Sequence, residues 1–207
     1  MNFTKIHIIP TCVNLSAYRN RPVQERQPAV LHMGTVGYKN PLSTLRAFAL
    51  VRNTRARCYV TGNLNREIDD FVSGIDPSIR KRIEFVGFVS AEKPRALLGS
   101  VRVISVPSRY WVLVASPSAI EGLASGTPVI GSPSISRDVL KSGVNGYICE
   151  PENHSELAAH MDRLLEDDQI WTDMSLGAQE SAKRFSSDHV SQEYLSLAGA
   201  NYLLIGA

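Results

Sequence analysis

The sequence predicts an α/β domain: a Rossmann-like open parallel sheet with helices on both faces and a helical extension at the C-terminal end. Three observations carry this. Short β-branched runs alternate with longer amphipathic stretches up to Cys149, a pattern that requires right-handed crossovers and a parallel sheet. Beyond Cys149 the pattern turns wholly helical. The length of 207 residues, with 43% apolar and 20% charged residues, suits one such domain with an extension and is enough to bury a core without disulfide staples.

The first 28 residues stand apart. IHIIPTCVN reads as one short strand and a turn, and NRPVQERQP as a polar linker; together they look like the tail of an interdomain connection. The first core strand is Val30–Met33. A helix follows over Pro41–Arg52, with Asn40 as cap, Pro41 in the first turn, and Leu42, Leu45, Phe48 and Val51 on one face. Strand Cys58–Thr61, helix Asn65–Ser73 and strand Ile83–Val86 come next. The helix expected at Ser90–Leu98 places Pro94 in its first turn. The buried strand Val101–Val106 leads through a loop to a short helix, Pro117–Ser125. Ser116 is a suitable N-cap there, Pro117 suits the first helical position, and Gly126 before Pro128 ends the helix. Strand Val129–Gly131, a helix at Ser136–Lys141 and strand Gly146–Ile148 complete the sheet. Asn153 and Glu156 then open a helix whose apolar stripe is Leu157, Met161, Leu164 and Leu165. Helical stretches near Ile170–Lys183 and Asp188–Leu204 end the chain. The expected division is an interdomain-like segment over 1–28, the Rossmann-like domain over 29–185 and a C-terminal helix over 186–207.

Composition excludes several classes. Lys and Arg total 22 against 20 Asp and Glu, a balance too even to imply a nucleic-acid partner. The basic clusters RNTRAR (Arg52–Arg57) and RKR (Arg80–Arg82) each precede an apolar run, where a helix ends and a solvated turn feeds a strand. Three cysteines, Cys12, Cys58 and Cys149, are too few and too dispersed for a zinc site or a disulfide framework, and point to a reducing compartment. No apolar run is long enough for a transmembrane segment, and MNFTKIHIIP lacks a signal-peptide plan. The expected location is the cytoplasm, with peripheral contact with a membrane left open. The five histidines show no metal-ligand spacing, so no metal is expected, and His160 reads as a surface or packing residue. Gly34-x-x-Gly37 after a strand is not a dinucleotide fingerprint, and the P-loop pattern is absent.

The chemistry centres on Val101–Ser132. A short capped helix carrying Glu121 begins at the carboxyl edge of the sheet, where open α/β sheets bind ligands and helix N-termini favour phosphate. A carboxylate can accept both vicinal hydroxyls of a ribose, and equally it can be a surface glutamate favoured by the helix dipole. No Asp or Glu lies between Val101 and Ile120.

The segment PS…IEGLASGTPVIGS resembles the signature of the retaining glycosyltransferases of family 4 (group 1), whose fold is GT-B. Other stretches agree in order: IHIIPTCVN, HMGTVGYKNPLSTLRAFALV, YVTGN, IEFVGFVSAEK, KSGVNGYICEPENHSELAAHMDRLL and FSSDHVSQEY. The resemblance covers nearly the whole chain and corresponds to the C-terminal, donor-binding half of such an enzyme. It implies binding of a nucleotide diphosphate sugar, such as a UDP- or GDP-sugar, for retaining transfer to an acceptor. An N-terminal acceptor-binding half is the implied partner, and no cofactor or metal is implied. Lys39 matches the catalytic lysine that neutralises the donor diphosphate. Glu121 matches the second of the family's paired glutamates and holds the ribose. Val89 falls where backbone groups meet the base, and Gly34, Ser116 and Ser118 complete the implied nucleotide-binding set.

Departures from the pattern are equally specific. Counting eight back from Glu121 places the first glutamate at Leu113, and counting forward from Pro107–Ser108 places it at Trp111; neither is an acid. Pro117 stands where the family often offers a backbone N–H to phosphate, and proline has none. Thr35 replaces the arginine that commonly precedes the lysine, Arg46 is expected to point outward, and Ser132–Ser136 replaces a glycine pair. These changes motivate an alternative, a non-catalytic nucleotide-binding or scaffold domain descended from such an enzyme. A chain that is a fragment of a longer one is a third expectation.

Overall fold

A computed structural model describes residue 7 and residues 9–87, 92–109, 116–135 and 137–205. Six strands form one parallel sheet: β1 (Gln27–Met33), β2 (Arg57–Thr61), β3 (Ile83–Gly87), β4 (Val101–Val106), β5 (Val129–Gly131) and β6 (Gly146–Ile148). Their order is β3-β2-β1-β4-β5-β6, so the chain winds outward from β1 in one direction, then returns to the other side of it. The switch point lies between β1 and β4, and a crevice opens there at the carboxyl edge.

Helices cover both faces. α1 (Pro41–Ala49) and α2 (Arg66–Gly74) pack on one face with α6 (His154–Glu166), where Leu45, Phe48, Ile68, Leu157 and Met161 meet Val30, Val60 and Val103. On the other, α4 (Glu92–Leu98) and α5 (Pro117–Ala124) bring Leu98, Ile120 and Leu123 against Leu31, Ile104 and Val129. The sheet is therefore buried on both sides, which is why its strands read as β-branched runs. A short α3 (Pro77–Arg80), capped by Asp76, precedes β3 and was not expected from the sequence. α7 (Asp168–Ala182) and α8 (Ser187–Ile205) close the chain. No described helix is long and apolar enough to cross a membrane.

Three expectations need correction. Among the described residues, IHIIPTCVN contributes only a bridge from Val13 to Ser186 at the start of α8, not a strand. NRPVQERQP is no plain linker: it holds a 3-10 turn at Val23–Glu25, and Arg26 is buried. The Arg26 guanidinium donates to the carbonyls of Leu98, Val101 and Ser125, at or just past the ends of α4 and α5, and lies 4.7 Å from the Trp171 ring. Burial, aided by nearby Arg21, lowers its pKa to about 10. The helix expected at Ser136–Lys141 is replaced, over its described residues, by turns. Asn145 explains this: its side-chain oxygen accepts from Lys141 N at 2.8 Å, and its amide donates to Val139 O at 2.9 Å. A side chain that satisfies these backbone groups removes the incentive for a helical ladder.

Candidate functional site

Beneath the switch-point crevice lies a cavity of about 150 Å³, walled by His32, Met33, Tyr38 and Lys39 from the β1 side and by Ser105, Val106 and Ser108 from β4 and its loop. Ser116, Pro117 and Ser118 at the start of α5, with Ser134 and Ile135 after β5, complete it. Two of the elements that meet here owe their placement to local sequence. Gly34 follows β1 with φ of +90°, a conformation that strains any other side chain, and a Cβ there would sit 3.1 Å from Lys39 Nζ and crowd the lysine as it folds back over the strand end. At the far end of α5, Thr127 N donates to Gly122 O and Gly126 N to Leu123 O, with Gly126 left-handed. That is a Schellman termination, and it sets the length of the helix whose start faces the cavity.

The start of α5 is chemically open. Ser116 occupies the N-cap position, yet its hydroxyl makes no cap bond, and Pro117 supplies no N–H. The first intrahelical bond of α5 runs from Ile120 N to Ser116 O, so the amides of Ser118 and Ala119 precede the first intrahelical donor and remain for an anion, with the helix dipole behind them. Lys39 stands opposite. Its ammonium donates to Met33 O at 3.0 Å and to Ser118 Oγ at 3.4 Å. Partial burial lowers its pKa, and the Glu121 carboxylate pulls it back up. A cation and an uncapped helix N-terminus thus face one small cavity, an arrangement suited to a phosphate or diphosphate.

Under the lysine runs a buried polar chain. His32 is 1% exposed, and burial pushes its pKa down to about 4, so the ring is neutral at pH 7. Nε2 lies 3.0 Å from Gly34 O, an acceptor only, so Nε2 carries the proton. Nδ1 then accepts from Thr44 Oγ1 at 2.8 Å, and Thr44 accepts from Ser105 Oγ at 2.8 Å. At the rim, Glu152 Oε1 accepts from Asn40 Nδ2 and Arg109 Nε, each at 3.3 Å, and Arg109 N donates to Tyr38 O at 3.0 Å. The loops after β1, β4 and β6 are joined in this way.

The structure brings Lys39, Ser116 and Ser118 together on the cavity wall, with Gly34 directly behind the lysine. Glu121 does not line the cavity; it accepts a hydrogen bond at 3.0 Å from Tyr18 Oη, while its charge is felt at Lys39. Val89 lies outside the described residues, as do Trp111 and Leu113. Asn40, expected as the α1 cap, makes no cap bond; it is left-handed at φ 54°, and its side chain goes to Glu152. Arg46 is exposed as expected. His160 packs, its ring stacked on Tyr147 at 4.1 Å between centroids. Sequence reasoning missed His32, Tyr18 and Glu152. For His32 a signal existed, since an ionisable residue next to the end of an otherwise apolar strand must find partners or lose its charge.

Known proteins share this family and fold. A family profile described as glycosyl transferases group 1 matches residues 27–167. The uncharacterized glycosyltransferase MJ1607 of Methanocaldococcus jannaschii is 27% identical over 154 residues, which cover 72% of this chain and 38% of that protein. HepE of Anabaena, solved with UDP and glucose, superposes with a TM-score of 0.77 at 19% identity, over 94% of this chain and 57% of its own. Sucrose-phosphate synthase of Thermosynechococcus elongatus gives 0.80 at 21% identity, over 96% and 53%. A structure of the C-terminal domain of the group 1 glycosyl transferase LpcC of Francisella tularensis gives 0.67 at 15% identity, with 83% of this chain on 96% of that one. The chain thus spans little more than half the length of HepE and of sucrose-phosphate synthase, and its match covers nearly all of an isolated C-terminal domain.

Proposed function

Because the chain belongs to the group 1 glycosyl transferases, we propose that it is the donor-binding domain of a retaining enzyme, taking a nucleotide diphosphate sugar at the β1–β4 switch point. One observation carries the reading: Lys39 and the uncapped start of α5 converge on one cavity at the carboxyl edge of the sheet. On this reading the diphosphate lies between Lys39 Nζ and the amides of Ser118 and Ala119. Glu121, just behind on α5, receives the ribose hydroxyls, and the segment around Val89 meets the base. Neutralisation of the leaving diphosphate falls to the lysine and the helix rather than to a metal ion. As the C1–oxygen bond to diphosphate breaks, the acceptor oxygen bonds C1 on the same face, and its proton passes to the departing phosphate oxygen. The acceptor is supplied by an N-terminal half. UDP bound to HepE supports a uridine nucleotide as the first donor to try. The three unpaired cysteines favour a reducing, cytoplasmic setting.

Calorimetric titration with UDP, GDP and their sugars tests the reading. Binding to the unaltered chain is expected, with a loss of about ten- to a hundredfold in Glu121→Ala, the worth of hydrogen bonds to a charged group. EDTA is expected to leave affinity unchanged. No binding of any of these nucleotides by the folded chain would sink the proposal.

A second reading, a donor-type domain without turnover, rests on Pro117 at the first position of α5 and on the non-acidic residues Trp111 and Leu113. It predicts nucleotide binding without sugar transfer when an acceptor half is supplied. Transfer in that reconstituted assay eliminates it.

A further inference from the structure

We propose that Tyr18 is a positioning residue for the donor nucleotide: its hydroxyl fixes one oxygen of the Glu121 carboxylate so that the remaining acceptor sites face the ribose. The inference rests on the reading of Glu121 as the ribose-holding group, and Tyr18 lies ahead of the residues 27–167 that the family profile matches.

Tyr18 sits far from α5 in sequence, at the end of a 3-10 turn (Leu15–Ala17) in the N-terminal segment. It is nevertheless 9% exposed, packed in the same apolar cluster as Ile120 and Leu123, and its hydroxyl reaches Glu121 Oε1 at 3.0 Å. The Arg95 guanidinium lies 5.8 Å from the Tyr18 ring centroid, so the ring is held from its face as well as by its tip. The position of the ring is therefore set by packing, and the hydroxyl is a fixed donor. Burial and the neighbouring carboxylate both raise the Tyr18 pKa, so this donor keeps its proton throughout the neutral range.

The consequence for Glu121 is geometric. A glutamate has three side-chain torsions, and an exposed one samples many carboxylate orientations. A donor fixed at Oε1 selects one of them and leaves Oε2, with the second lone pair of Oε1, for a pair of vicinal hydroxyls. Lys39, which approaches from the β1 loop, bonds Met33 O and Ser118 Oγ. Tyr18 is thus the side-chain donor that the structure gives this carboxylate among the described residues. An orientation set before binding costs no ordering when the nucleotide arrives.

The experiment compares UDP and 2′-deoxy-UDP, and GDP and 2′-deoxy-GDP, on the unaltered chain, Tyr18→Phe, Glu121→Ala and the double variant. Tyr18→Phe removes one oxygen and leaves the packed ring, and thermal unfolding verifies that the variant is folded. The expected result is a loss of about three- to tenfold in affinity for the ribonucleotide in Tyr18→Phe, with a smaller loss for the deoxynucleotide, the size of one ordinary net hydrogen bond because Tyr18 acts through Glu121 and does not touch the ribose. In the Glu121→Ala background, Tyr18→Phe is expected to change neither affinity, the non-additivity of residues that act as a unit. Equal losses for ribo- and deoxynucleotide, or additive losses in the double variant, mean a merely structural Tyr18 and overturn the inference alone. Binding by the unaltered chain that Glu121→Ala leaves intact removes Glu121 from the ribose and overturns both. Absence of binding by UDP and GDP overturns the donor-site reading and takes this inference with it.

Discussion

His32 shows how a single residue couples the site to the solution. Its ring is neutral in the folded chain because burial disfavours the imidazolium, and its pKa falls to about 4 from an ordinary 6.5. The unfolded chain protonates first as pH drops, so it binds more protons than the folded chain between those values. Stability is then fully present above pH 6.5 and is lost as pH falls towards 4, by about 3 kcal/mol in total. Denaturant unfolding of the unaltered chain and of His32→Gln between pH 7.5 and pH 5 checks this. The unaltered chain is expected to lose stability faster over that range, and parallel curves would contradict the assignment. Protonation falls on Nδ1, so acid ends its acceptance from Thr44 Oγ1 while the Nε2–H bond to Gly34 O is kept. Arg26 is the opposite case: a buried cation kept by carbonyls at or near the ends of α4 and α5, where partial negative charge accumulates.

At the scale of elements, three loops at the carboxyl edge are tied by one exposed carboxylate. Glu152, ahead of α6, accepts from Asn40 beside Lys39 and from Arg109 beside Ser108. Exposed ion pairs contribute little to stability, so Glu152→Ala is expected to cost less than about 1 kcal/mol of folding free energy. Its effect on the site is larger, because it frees the loops that carry Lys39 and Tyr38. A drop in UDP affinity of about three- to tenfold is expected, read by calorimetry beside a denaturation curve. A stability loss with unchanged affinity would show that the tie is only structural. The capping residues teach a related lesson. Ser116 and Asn40 have the chemistry of N-caps and stand at the N-cap positions, but neither caps. At Asn65, Asp76, Asn153 and Asp167 the side chains do cap their helices. Among the α-helices whose N-cap residue is described, the two without a side-chain cap are those at the switch point, α5 against the cavity and α1 just behind Lys39.

The whole molecule is a six-stranded Rossmann-like sheet with its crevice at the reversal of strand order. Ligand binding there is expected to stabilise the fold as a unit, because β1, β4 and α5 all contribute walls to the cavity. At a hundred times its dissociation constant, UDP adds about 2.7 kcal/mol, or about 5–10 °C in melting temperature for a chain of this size. Differential scanning calorimetry with and without UDP measures the shift, and an unchanged melting temperature at saturating UDP would contradict a site built at this junction. Most of this architecture was legible beforehand. All six strands lie within a few residues of their expected positions, because a sheet buried on both faces writes itself as β-branched runs between amphipathic helices. Lys39 and Ser118 came from the resemblance to the family and Ser116 was also read as a helix cap; all three line the cavity. The missing helix after β5, the idle cap of Ser116, the histidine under the lysine and the hydroxyl of Tyr18 on Glu121 were not legible. Each depends on a partner distant in the chain, or on a side chain that takes over backbone hydrogen bonds, and no local pattern records such a choice. Sequence alone determined the sheet, most of its helices and the edge where a ligand would sit, since periodicity and turn chemistry are local. The tertiary structure alone decided which donors and acceptors there are already satisfied and which remain open, because hydrogen bonds between remote segments form only when the fold brings them together.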